Sequence, residues 1–208
     1  MANYVDELII PSYQAFSAEI QSLNSSSGPL AAYCSSIGEE REASERATVQ
    51  IAWRSAMSAW QKSEAFLVGP VLENGGALRN NIYSFFSGAP LSTCAIDQAV
   101  ILAQDSGFDI LTRSVNQRGM DGLEYLIFND DPKHSCPAQI DETKHWNAMS
   151  EVERFKHRCD YSRALAADTQ NAIDALINAW APVGDNNRSA FIDPKNLDES
   201  FAALSDSL

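Results

Sequence analysis

Asp121 and Glu124 stand three residues apart in the run Arg118-Gly119-Met120-Asp121-Gly122-Leu123-Glu124. In a helix that spacing turns both carboxylates to one face, while Met120, Leu123 and Ile127 fall on another and seat the helix in apolar packing. Two oxygen anions held this way, with Tyr125 beside them, suit a hard cation or a general acid and base pair. Arg118 is a candidate salt-bridge partner. A third carboxylate, Glu64, lies four residues beyond Trp60 on an otherwise apolar helical face, where desolvation demands a partner or a metal ion. Arg79 is a candidate counter-ion for such a buried carboxylate. His134, His145 and His157 share no ligand-like spacing, and His134 and His145, in or beside the polar loop, read as surface residues. The chain holds no phosphate-binding loop, H-E-x-x-H or G-x-S-x-G element. Acid pairs three apart are also common on the solvated face of helices in acidic proteins, so spacing alone leaves the role of Asp121 and Glu124 open.

The elements that must position these residues are helical. Val5, Leu8, Ile9, Phe16, Ile20 and Leu23 mark one face of a first helix, with Pro11 as a kink or in the first turn, and the run Asn24 to Pro29 ends it. A second, longer helix is expected from about Glu39 to about Phe66, with Val49, Trp53, Met57, Trp60 and Leu67 as its core stripe. Asn74-Gly75-Gly76 reads as a turn, followed by a short aromatic segment from Ile82 to Phe86. Ser92-Thr93 caps a third helix that Asp105-Ser106-Gly107 closes. Asn129-Asp130-Asp131-Pro132 stops the helix carrying Asp121. Ser150 and Glu153 form a capping box for a last long helix that Ala181-Pro182 and Gly184 end. No strand pattern competes. The expected fold is all-α, an up-and-down four-helix-bundle-like domain with irregular loop insertions over residues 1–184. Leu197, Phe201, Leu204 and Leu208 then step by four, three and four, so residues 185–208 read as a further helix opening a second bundle.

With 208 residues, 45% of them hydrophobic, the chain can bury a core of its own. A formal net charge of -13 leaves no basic footprint for nucleic acid or anionic lipid, and favours cations or basic partners. No run approaches the ~20 apolar residues of a membrane-spanning helix. Four cysteines at wide spacing, none in a C-x-x-C pair, suit two disulfides and an oxidising compartment. Cys136 with Cys159, separated by a loop and a helix start, is the favoured pair, leaving Cys34 with Cys94.

The run Gln117 to Phe128 resembles the signature of the imelysin family, the M75 peptidases that include iron-regulated lipoproteins. That signature is Gly-x-His-x-x-Glu within a Gly-x-x-x-x-Glu-Tyr-Leu-Leu-Phe type of context. Similar matches are Ile9 to Phe16, Trp53-Arg54 through Ala59-Trp60-Gln61 with Glu64 and Gly69-Pro70, and Cys136-Pro137 followed by Cys159-Asp160-Tyr161. The resemblance covers nearly the whole chain. Where the signature has His, this chain has Asp121, which removes the ligand best suited to zinc and leaves an oxygen pair better matched to iron.

The resemblance implies a periplasmic or outer-membrane-anchored protein of iron uptake, built in longer members from two four-helix bundles with the signature near their interface. On that footing Asp121, Glu124 and Glu64 are the expected donors to a cation, iron first, in a carboxylate-lined cleft. Two alternatives are a metallopeptidase in which Glu124 activates a metal-bound water, and a module docking to a periplasmic or outer-membrane protein. In the docking case Gly119 and Gly122 serve only close helix approach.

Overall fold

The computed structural model describes residues 1–84, 91–181 and 184–207. Among them every regular element is helical. A short helix, α1 (Ala2–Tyr4), widens into a π-helical stretch at Val5–Ile9 and continues as α2 (Ile10–Asn24), with Pro11 in the first turn of α2. Pro11, which cannot donate to the preceding turn, thus directly follows the π-helical stretch. Val5, Ile9, Phe16, Ile20 and Leu23 are fully buried as the periodicity requires, whereas Leu8 is exposed.

The polar run after Asn24 is a turn, but Pro29 opens a helix the sequence pattern did not signal, α3 (Pro29–Ser36). At eight residues it is too short for its periodicity to show. The long second helix, α4, spans Glu42–Ser63 and ends in a 3-10 turn at Glu64–Phe66. It starts three residues later than expected because Gly38 takes a positive φ of 85° and the Glu42 carboxylate accepts from its N–H.

Asn74, Gly75 and Gly76 all adopt positive φ and make the expected turn, inside an element, α5 (Glu73–Ile82), whose last residues are helical. Of the expected aromatic segment, Phe85 and Phe86 lie outside the described residues, as do Pro182 and Leu208. Ser92 caps α6 (Thr93–Leu102) by accepting from the Ala95 N–H at 3.3 Å. Two 3-10 turns, Ile110–Thr112 and Val115–Gln117, lead to α7 (Gly119–Phe128). The Ser150 and Glu153 capping box opens α8 (Glu151–Trp180), the longest helix. Then come α9 (Asn187–Ile192) and α10 (Leu197–Ser207).

One core joins these helices. α2 packs on α4 and α8, α3 lies against α4, and α7 lies across α8 and α4. Trp60, Trp146 and Trp180 are among the largest side chains sealed in it, and Leu204 of α10 belongs to the same cluster. No helix among the described residues is long and apolar enough to cross a membrane.

The disulfides correct the expected pairing. Cys34 bonds Cys159 and Cys94 bonds Cys136, with Cα atoms 5.6 and 4.5 Å apart. The missed helix explains the error: α3 carries Cys34 onto α8, beside Cys159, while the loop after α7 returns Cys136 to the first turn of α6.

Candidate functional site

The segment carrying Asp121 is held from both sides before its own chemistry is considered. Gly119 begins α7 at φ 74°, a conformation that strains any residue with a side chain, and a Cβ there would lie 2.7 Å from the Ile82 carbonyl oxygen. The N-terminus of α7 therefore rests directly on the end of α5. Arg118, just before it, extends to Asp168 on α8 and donates twice to that carboxylate, at 2.8 and 2.6 Å. Both residues are over nine-tenths buried. The salt-bridge role expected for Arg118 is the one observed.

Met120, Leu123, Leu126 and Ile127 face the core with 0–2% exposure. α4 fastens the backbone of α7 along its length: the Trp53 indole N–H donates to the Met120 carbonyl at 3.0 Å, and the Gln50 side chain donates to the Ile127 carbonyl at 3.2 Å. Trp53 is thus a core residue with one directed polar contact.

On this mount Asp121 is buried in the first turn. Its carboxylate accepts from the Ser84 hydroxyl and, at 3.1 Å, from the Gly122 N–H. Burial pushes its carboxyl above the usual range, and the hydrogen bonds from Ser84 and the helix N-terminus only partly offset that. Glu124, one turn on, is exposed. Its carboxyl is also raised, by partial desolvation and by the charge of Asp121, against the pull of Arg54. Arg54 lies over the Phe128 ring, 4.8 Å from its centroid.

Glu64 sits in the turn that ends α4, its Oε1 4.0 Å from Nη2 of Arg79. Burial raises its carboxyl, while Arg79 and the nearby Trp60 indole N–H draw it back. Tyr83 lies just beyond α5. Its phenol is raised by burial first and then by Asp121, Glu124 and Glu64 in turn, so all three act on one side chain.

Asp121 and Glu124 thus act on one another electrostatically, and Glu64 shares with them only its effect on Tyr83. Among the described residues no group of three or more His, Cys, Asp or Glu side chains is arranged to hold a metal ion.

Tyr125 does not join the face. Its phenol donates to Asp97 at 3.1 Å, within a buried network in which Arg158 donates to Asp97 at 3.3 Å and the Ser135 N–H at 2.7 Å. Arg158 also donates to the carbonyls of Asp131, at 3.0 Å, and Lys133, at 3.3 Å. The loop after α7 is pinned by these bonds. Sequence reasoning missed Ser84, Tyr83 and the Asp97–Arg158 pair. Ser84 and Tyr83 lie where periodicity is weak, and Asp97 and Arg158 carry no sign of each other 61 residues apart.

The family model described as Imelysin, of the M75 peptidase type, matches residues 9–208. The chain belongs to the imelysin family. Comparison with curated proteins and with solved structures yields no match. Within this imelysin, the signature segment is α7. The position where the resemblance calls for His is the buried Asp121, whose oxygens already accept two hydrogen bonds, while Glu124 keeps its carboxylate open to solvent.

Proposed function

We propose that this imelysin is a cell-envelope protein of iron uptake that engages its cation as cargo at the Asp121 and Glu124 face, with Glu64 as the neighbouring third carboxylate. The observation that carries the reading is the buried Asp121 carboxylate, held by Ser84 and the Gly122 N–H, with exposed Glu124 one turn along the same helix. Asp121 pushes the Glu124 carboxyl up, and a positive charge taken up by the pair relieves that repulsion. Clusters of groups with perturbed pKa mark functional sites more often than chance. Bound iron would supply a Lewis-acidic centre for the carboxylate oxygens. The chain's own part is to present Glu124 in the open, hold Asp121 through Ser84, and keep water from the apolar side with Met120 and Leu123.

The oxidising envelope is supported by the two disulfides, which leave no free cysteine among the described residues.

Calorimetric titration with ferrous and ferric iron tests the proposal. The parent should bind, and Asp121→Ala and Glu124→Ala should bind more weakly. Three identical null traces would sink it.

A second reading, a non-catalytic module docking to an envelope protein, draws on the glycines. A Cβ on Gly119 meets backbone at 2.7 Å, and one on Gly122 meets the Gln117 carbonyl and Leu165 at 3.3 Å, so both glycines have packing reasons to be there. A pull-down surviving both carboxylate substitutions would favour it. The M75-type peptidase alternative assigns Glu124 the activation of a metal-bound water. It requires chelator-sensitive cleavage of a denatured protein substrate.

A further inference from the structure

Between α2 and α4 lies an open groove of about 530 Å³, lined in part by Ala15, Ser58 and Ala59, side chains small enough to let a third helix approach. Its largest apolar side chain is Ile51, which stands off the buried stripe of α4 at 62% exposure. Arg54 and Lys62 bring positive charge to this groove, against a single acid, Glu19, among its described lining. That balance is unusual in a chain of net charge -13.

The outer face of α10 carries the complementary pattern. Ser200 and Leu204 turn inward, which leaves Phe201 at 58% exposure with Asp198, Glu199 and Asp206 in the open around it. The helix holds no basic residue. Among the described residues neither these three acids nor Lys62 forms an ion pair, so their charges are available. Asp198 and Asp206 are eight residues apart, as are Arg54 and Lys62, so each pair spans ~12 Å along its helix with the same rotation between its members. Phe201 stands between the two acids, and Ser58 and Ala59 stand between the two cations.

We infer that the groove between α2 and α4 receives α10 of a second copy of this chain, Phe201 entering beside Ser58 and Ala59 while Asp198 and Asp206 meet Arg54 and Lys62. This is an amphipathic helix laid in a groove, with charge complementarity fixing its register. α10 touches the turn Glu64–Phe66 that ends α4, so helix and groove are neighbours within one chain and two copies exchange helices about a two-fold axis. Reciprocal exchange closes the assembly at a dimer, whereas a one-way contact would extend it into a ring or a filament. The interface borders the signature helix, because Arg54 lies over the Phe128 ring of α7.

Sedimentation velocity of the full chain from micromolar to millimolar concentration tests this. Chelator in every sample keeps the outcome independent of the cation reading. The parent should dimerise as its concentration rises. Phe201→Ser and Lys62→Glu, both at exposed positions, should each raise the dissociation constant roughly tenfold, since each change counts twice in a reciprocal dimer. Adding Asp198→Lys or Asp206→Lys to Lys62→Glu should restore the dimer in one of the two combinations, and the one that does so gives the direction of the docked helix. A parent that stays monomeric over the whole range overturns the inference and leaves the groove to a different partner. A parental dimer that neither single variant weakens, or a loss that neither combination recovers, overturns it as well. Far-ultraviolet dichroism identifies any variant that fails to fold, and the other single variant then decides.

Discussion

Arg118 and Asp168 meet in a two-pronged contact, Nε to Oδ2 at 2.8 Å and Nη2 to Oδ1 at 2.6 Å, with both side chains nearly sealed from solvent. The pair joins the residue before α7 to the middle of α8, so the start of the signature helix depends on it. Removing one partner strands the other charge in the interior. Asp168→Ala should therefore lower unfolding free energy by about 3–5 kcal/mol. Urea denaturation of Asp168→Ala, Arg118→Ala and the double variant checks this, and the double variant should lose less than the two single losses added.

Gly119 and Gly75 separate backbone strain from collision. Both have positive φ, 74° and 69°, but a Cβ on Gly75 meets nothing within 4 Å whereas one on Gly119 strikes the Ile82 carbonyl. Gly75→Ala should cost about 1–2 kcal/mol, the price of a left-handed backbone conformation. Gly119→Ala should cost clearly more and should also weaken iron binding, because α7 must lift from α5. Equal losses in thermal melts of the two variants would contradict this.

The disulfides close loops of very different length, with sequence separations of 125 and 42. Removing the longer clip frees more unfolded-chain entropy, so Cys34→Ala with Cys159→Ala should cost about 1 kcal/mol more than Cys94→Ala with Cys136→Ala. Peptide mapping without reduction should recover Cys34 joined to Cys159 and Cys94 joined to Cys136.

Asp121 sets a pH dependence of known sign. Its folded carboxyl is raised above the ordinary 3.8, mainly by burial. The folded state therefore holds the proton more tightly than the unfolded state does. The stability this contributes is full below the unfolded value and is lost as pH rises through the folded one. Asp121→Asn should remove that loss, so the parent should weaken relative to the variant as pH climbs past the ordinary aspartate range. Parallel pH profiles of unfolding would refute it. In the parent, cation affinity should rise over the same interval, because proton and cation compete for the carboxylate.

Much of this was legible in residue order. The stripe from Val49 to Trp60 is buried as its spacing requires, and Ser92 and Ser150 cap the helices they were expected to cap. Such features depend on neighbours within one turn, which sequence displays directly. Asp121 and Glu124 share a region for the same reason. The short α3 and the close of α5 were not legible, because one or two turns carry too few apolar positions to reveal a period.

Sequence by itself determined that the chain is helical, where its longest helices run, and that Asp121 and Glu124 rise from one of them, because each of these follows from local spacing. Only the tertiary structure decided which cysteines pair, that Ser84 serves Asp121, that Tyr125 turns to Asp97, and that Glu64 lies 4.0 Å from Arg79. Those partners are distant in the chain, and the cost of closing a loop grows only slowly with its length, so spacing carries little information about which distant groups meet. Packing of α3 on α4 and α8, and of α7 on α5, makes that choice.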